Sequence, residues 1–517
     1  MDVLDRDKPL SQCLIWPLIE KFYGESGPEA WAQTPYYPTS NAFIADTYAE
    51  LTLAFLRDRL PELRRDEPIY CVELASGLGA FALLFWRALE RKRAEDSALA
   101  ALDLRYVLTD FTEKNLEHWW ADPQLRAEIE RGVLDSALYW PERDTQITLR
   151  KSGAVLSTET LANPLIVIAN YFFDSIRHDF FQAESGTLRE ALPIIWRDYG
   201  HANLPPRLDQ LHFTDAYRDI DTQRYYAQPR WNAVLEHYRT TLSEASFLFP
   251  IGALTVLDRL WSLTKGRFFL LAADKGFHTE VAMHGHYATP YTPHTGSFSY
   301  AVNFHALARY VDNLGGRSWS AHENSSLTTF VATSDVGPSE ALSRAAWHYL
   351  QENDVIKNSF ALAELLSATT PKSDADPASL LRIGIACVEL SRFDSFVFAS
   401  CGEYLQKGLA VCPREVRAAL RVLLARVEAN LSPLVLGAQD AYGWLRYLYF
   451  HLDQLDDCLR VSAAAVALFG PNHDDAFYRG AVAEARGDRA GARVYFGQAL
   501  EHDPSSEITR TRLALLG

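Results

Sequence analysis

One stretch, Glu73-Leu-Ala75-Ser-Gly77-Leu-Gly79, offers the clearest chemistry in the chain: an apolar run ends on an acid and opens into AFALLFWRALERKR. Glycines at 77 and 79 let the backbone approach a ligand without a Cβ in the way, and a helix N-terminus there supplies free N–H donors. Two ligand classes fit. Gly77-x-Gly79-x-x-Ala82 satisfies the dinucleotide fingerprint, but that pattern wants its ribose-binding acid about 20 residues beyond the glycines. The next strand-ending acid, Asp110, comes 31 residues after Gly79. S-adenosylmethionine is the second class, because Glu73 would face its cationic methionine part while Asp110 accepts both ribose hydroxyls. A plain strand-to-helix turn is the third reading of the same residues.

A second group is Ala169-Asn170-Tyr171-Phe172-Phe173-Asp174, which follows the apolar run PLIVI. In an open parallel sheet the carboxyl ends of the strands face the ligand crevice, so Asn170 and Asp174 are expected to point at the reacting atoms. An amide and a carboxylate suit the orientation of an amine or guanidinium. Asp174 serving only as a helix cap is the competing reading. His278, His284, His286, His294 and His305 match no H-x-x-x-H pair, and no cysteine or carboxylate cluster completes a shell. They read as loop polar groups, and no metal site is expected.

The elements that must position these residues follow from the apolar pattern. Short apolar runs at 69–75, 104–110, 164–170, 267–274 and 327–333 alternate with amphipathic stretches. The first three read as nearly continuous apolar runs, which suggests parallel strands buried on both faces. The expected fold is therefore an α/β doubly wound, Rossmann-like domain over 1–336, with a helical lead-in at 1–65 and an insertion at about 175–266 that walls a pocket. Beyond 337 strand signals vanish, and 337–517 reads as an all-α domain broken by loops such as TTPKSDADPAS (369–379). Gly480, Gly487, Ala492, Phe496, Ala499 and Pro504 fall at tetratricopeptide-like positions. A shift of 34 residues sets Trp444 over Tyr478, Asp453 over Gly487, Cys458 over Ala492 and Ala465 over Ala499. A non-repeating helical bundle is the alternative.

Charge and composition exclude other classes. A net charge of -16 over 517 residues repels phosphate backbones, and no Lys/Arg stripe offsets it, so nucleic acid is not an expected partner. The opening MDVLDRDKPL lacks the basic and apolar regions of a secretory signal, and no apolar run approaches the roughly 18 residues of a membrane span. A cytoplasmic location is expected. Six cysteines without CxxC pairing read as reduced thiols filling cores.

Taken together, these residues resemble the MidA-like, class I S-adenosylmethionine-dependent methyltransferase family, which includes the mitochondrial arginine methyltransferase needed for respiratory complex I assembly. The resemblance spans roughly 15–334 and takes in YYPTSNAFIADTYAELTLAFL (36–56), ELASGLG, LTDFTEKNL, IANYFFDSI, LLAADKG (270–276) and SFSYAVNFHAL (297–307) in family order. It implies that Glu73, Gly77, Gly79 and Asp110 contact S-adenosylmethionine, with Ala75 and Phe111 beside them. It also implies that Asn170 and Asp174 face the acceptor and that Tyr171 and Phe173 line its pocket. Three departures stand out: Tyr171 replaces the family's glutamate, Ser297-Phe298-Ser299 its Asp-Ile-Thr, and Ser76-Gly77-Leu78-Gly79 its Pro-Gly-Arg-Gly. A phenol in place of a carboxylate removes part of the natural partner of a guanidinium. The expected function is methylation of a side-chain nitrogen on a protein partner recruited by the helical repeats. A non-catalytic assembly factor on a decayed methyltransferase fold is the rival, and a homodimer is compatible with either.

Overall fold

The computed structural model describes residues 2–32, 37–198, 206–294, 296–322, 327–334, 337–368 and 375–517. Its central sheet has seven strands: β1 (Ile69–Glu73), β2 (Leu104–Asp110), β3 (Leu134–Leu138), β4 (Leu165–Asn170), β5 (Phe268–Asp274), β6 (Arg317–Ser320) and β7 (Thr328–Thr333). They lie in the order β3-β2-β1-β4-β5-β7-β6. The first five are parallel, whereas β7 runs antiparallel to both β5 and β6. Strand order reverses between β1 and β4, the point at which an open α/β sheet leaves a crevice at its carboxyl edge. In register, Glu73 lies beside Leu108 and Ile168, and Asn170 beside Ala273.

Burial explains why these segments are strands. β1, β5 and β7 are buried at every position, so both faces of the sheet are covered. Val72, Val107, Val167, Leu270 and Phe330 pack in one apolar core with Leu254 and Leu257, each worth roughly 1.5–3 kcal/mol when fully buried. The apolar pattern predicts five of the seven strands. β3 (LDSAL) and β6 (RSWS) escape it because polar residues interrupt each short run.

The segment expected as an insertion builds a second, antiparallel sheet. Asp2–Asp5, Thr187–Arg197, Asp179–Glu184 and Glu244–Phe249 lie side by side, with His212–Asp219 also on Thr187–Arg197. Three of its tyrosines serve an apolar core: Tyr238 is fully buried, and Tyr225 and Tyr226 pack against the same cluster.

The chain divides into two compact units, Met1–Ser40 with Ile44–Lys357, and Asn41–Phe43 with Asn358–Gly517. The boundary expected near 336 falls at residues outside the described ones, as does most of the loop expected at 369–379. In the second unit the helices Ala438–His451, Leu455–Phe469, His473–Ala485, Arg489–His502 and Glu507–Leu515 follow one another. Asn472, Asp488 and Ser506 cap the last three of these from their side chains. Cys458, Ala465, Ala492 and Ala499 are all buried. Asp453 and Gly487 both take left-handed φ values, 59° and 79°. A Cβ on Gly480 would meet the Phe496 ring at 2.7 Å. All six cysteines are buried and unbridged, and among the described residues no helix is long and apolar enough to cross a membrane.

Gly79 tests how tightly the first turn is packed. It has a φ of 77°, and a Cβ there would meet Leu125 at 2.8 Å, Leu108 at 3.1 Å and Trp119 at 3.2 Å. Gly79→Ala should lower stability by about 1–3 kcal/mol through strain and overpacking. Urea unfolding measures this, and an unchanged midpoint would show that the turn yields freely.

Candidate functional site

β1 delivers Glu73 to the carboxyl edge, and the chain then turns sharply: Ala75, Gly77 and Gly79 all have positive φ, at 52°, 53° and 77°. Hydrogen bonds pin this turn to its neighbours. Ser76 N–H donates to Thr109 O at 2.8 Å, Gly79 N–H to Ser76 O at 2.8 Å, and the Trp119 indole N–H to Gly77 O at 2.8 Å. The following helix, Ala80–Arg93, starts without a side-chain cap. Glu73 is 4% exposed, and its Oε2 has no hydrogen-bond partner. Burial pushes its carboxyl up to about 7, against the partial relief of the Ser76 and Tyr106 hydroxyls beside it.

Asp110 closes β2 on the same edge. Asn115 Nδ2 donates to it at 2.7 Å and Thr112 N–H at 3.2 Å, and the N–H groups of Gly77 and Phe111 also face it. Burial still pushes its carboxyl up to about 6. A carboxylate has about four lone-pair positions, so a ligand hydroxyl bonds Asp110 by taking the place of one of these donors.

Two clefts meet here, sharing Ala75 and Tyr171. The larger, with about 930 Å³ of empty space partly open to solvent, is lined by Asp110, Phe111, Asn115, Trp140 and Phe172. The helix Ile15–Ser26 roofs it with Trp16, Ile19, Glu20 and Tyr23. Phe111 and Trp140 stand 4.9 Å apart at 50°, and the Arg143 guanidinium lies 3.6 Å over the Trp140 ring. Such a wall suits a planar heterocycle. At the rim Arg177 pairs with Glu20 at 2.8 Å and Glu142 at 3.1 Å, and Arg143 pairs with Glu20 at 3.2 Å. The smaller cleft, about 390 Å³, is lined by Thr39, Glu73, Ser76, Asn170 and Tyr171.

The candidates after β4 divide. Asn170 lines the smaller cleft, where its Oδ1 accepts from Tyr48 Oη at 2.9 Å and its Nδ2 donates to Thr39 O at 3.2 Å. Tyr171, with a φ of 46°, reaches both clefts; burial and the nearby carboxylates keep its phenol un-ionised. Phe173 and Asp174 reach neither. The short 3-10 turn Phe173–Ser175 rotates them inward, so Phe173 is fully buried in the apolar core and Asp174 is buried against Asp274. Phe172 and Ser175 take their places at the cleft.

Asp174 N–H donates to Asp274 Oδ2 at 3.0 Å, and Ser175 Oγ donates to Asp174 Oδ1 at 2.7 Å. Burial raises both carboxyls, Asp274 far above the usual range with the adjacent Asp174 adding to it, so the pair holds one proton between them. Sequence reasoning assigned Asp274 no role, although it ends β5 as Asp110 ends β2. The aromatic roof and Trp140 carried no signal, since no spacing relates the lead-in helix to the sheet edge. None of the five histidines lines either cleft; His286 bonds Ala183 O at 3.0 Å and His294 the Ser299 hydroxyl at 2.9 Å.

No family model matches the chain, and no curated protein does. Among solved structures it is similar to an uncharacterized ACR, COG1565 superfamily protein from Burkholderia thailandensis, and to a COG1565 superfamily member from the same organism bound to S-adenosyl-homocysteine. Identities are 12% and 13%, each match covers 66% of this chain and 90% of the other, and both TM-scores are 0.41. Likeness at that level carries no argument about function, which rests on the site itself.

The raised Glu73 carboxyl has a measurable consequence. Its contribution to stability is intact below its ordinary value of 4.5 and is lost as pH rises through about 7. Glu73→Gln is neutral at every pH, so without ligand it should gain on the wild type by about 3 kcal/mol once pH exceeds the raised value, with no gain in acid. Urea unfolding at both ends of that range checks it. A gap that does not widen with pH would mean that Glu73 is already ionised at little cost.

Proposed function

We propose that this protein is an S-adenosylmethionine-dependent methyltransferase that modifies a side-chain nitrogen of a protein partner. One observation carries the reading: a buried strand-end carboxylate with an unpartnered oxygen borders a left-handed glycine turn where two clefts meet. Glu73 would hold the cationic amino end of the cofactor in the smaller cleft, Asp110 one ribose hydroxyl, and Phe111 with Trp140 the adenine. The bound cofactor would supply an electrophilic methyl group. The chain's own residues align the acceptor and keep water out, which is where most of the acceleration of a methyl transfer arises.

Tyr171, shared by the two clefts, is the residue placed to meet the acceptor, with Asn170 beside it. The Asp174–Asp274 pair beneath holds the Tyr171–Ser175 turn in place. A neutral phenol offers a guanidinium less than a carboxylate would, which favours an acceptor other than arginine. The second unit would recruit the partner through tetratricopeptide-like repeats. The buried residues that recur 34 positions apart, the left-handed Asp453 and Gly487, and Gly480 against Phe496 support this reading. Repeat surfaces of that kind hold peptides in a concave groove.

Calorimetry with S-adenosylmethionine, S-adenosyl-homocysteine and NAD tests the cofactor. The first two should bind and NAD should not, and Glu73→Gln should weaken both by about 1.5–3 kcal/mol, the worth of a hydrogen bond to a charged group. Binding of NAD alone would return the dinucleotide reading.

Turnover tests the acceptor. Tyr171→Glu should admit arginine, detected by mass spectrometry of partner proteins incubated with labelled cofactor, while the wild type modifies another nitrogen. Arginine methylation equal in both would remove the discriminating role of the phenol. Cofactor binding without methylation by any variant would favour the assembly-factor reading.

A further inference from the structure

Away from both clefts, three side chains distant in sequence converge. His237 lies on the helix Pro229–Thr241, Glu280 opens the 3-10 turn Glu280–Met283, and His305 lies on the helix Phe304–Asn313. Their ligand atoms all lie within 4.8 Å of one another. We propose that His237, Glu280 and His305 form a binding site for one divalent transition-metal ion of the Zn²⁺ class. The absence of a metal site expected from sequence rested on the lack of a carboxylate to complete a shell. Glu280 and His237 supply what the spacing of the other histidines could not.

The geometry is close to what an ion requires. Zinc bonds of about 2.0–2.1 Å in a tetrahedral arrangement hold neighbouring ligand atoms about 3.3 Å apart. Here Glu280 Oε1 stands 2.6 Å from His237 Nε2 and 3.8 Å from His305 Nε2. Those values bracket the requirement, so shifts below about 1 Å complete the shell. Two imidazole nitrogens and one carboxylate oxygen form a borderline donor set, suited to zinc, whereas Ca²⁺ and Mg²⁺ select oxygen. Thr241 Oγ1, 3.4 Å from Glu280 Oε1, or a water can stand at the fourth position.

A plain His237–Glu280 hydrogen bond would account for two of the three groups. It leaves the His305 ring unexplained. His305 Nδ1 lies 2.9 Å from the hydroxyl of fully buried Tyr238, which itself donates to Asn303 Oδ1 at 3.4 Å. With its own proton directed at Asn303, Tyr238 can accept from Nδ1–H of His305 and leave the Nε2 lone pair for an ion, the arrangement that outer groups impose on metal-binding histidines. The three side chains are 17–32% exposed, so an ion can enter without the fold opening. Arg309 and His278 also act on His305, and their charge tempers the affinity without occupying the shell.

An ion here ties three segments that are remote in sequence, so binding stabilises the folded chain over the unfolded one. The test uses untagged, chelator-stripped full-length protein titrated with Zn²⁺ by calorimetry and with Co²⁺ by visible absorption. One ion per chain, tetrahedral Co²⁺ bands and a raised unfolding midpoint are expected, and Glu280→Gln and His305→Gln should each abolish all three. Midpoints matching the wild type in chelator certify that the variants are folded. Failure of the wild type to bind Zn²⁺, or stoichiometric binding retained by either variant, would overturn the site.

Discussion

Taking a carboxylate out of water costs several kcal/mol unless donors replace its hydration shell. Four acids are buried along one edge of the central sheet: Glu73, Asp110, Asp174 and Asp274. Each meets the cost differently. Asp110 gathers backbone and amide N–H donors. Asp174 and Asp274 share a proton, and Glu73 leaves one oxygen without a partner. That gradient of satisfaction determines which acid is free to bind a ligand and which acts as framework.

Backbone geometry follows the same edge. Ala75 and Tyr171, both carrying a Cβ, sit in the left-handed region, where each costs about 1–2 kcal/mol. Both border the two clefts at once. Two of the strained positions among the described residues therefore stand at the clefts, and hydrogen bonds between the first turn and β2 maintain the first of them.

Much of this was legible in the sequence, for identifiable reasons. β1, β2, β4, β5 and β7 announce themselves because strands covered on both faces are rich in apolar and β-branched residues, and Glu73 and Asp110 are marked by ending such runs. The same logic identifies Asp274, a signal present but unused. The inward turn of Phe173 and Asp174 was hidden, since a single 3-10 turn decides which of two adjacent aromatics faces the cleft. The roof helix and the convergence of His237, Glu280 and His305 depend on contacts between distant segments, which no local spacing records.

The roof has a kinetic meaning. Trp16, Ile19 and Tyr23 line the larger cleft, which is partly open to solvent, so a lift of the first helix would widen the way in. Its ties at the rim, from Glu20 to Arg143 and Arg177, are partly exposed ion pairs. Such pairs are individually worth under about 1 kcal/mol and are screened by salt. Ionic strength is thus the variable that loosens this wall, and the width of the cleft mouth would respond to the medium.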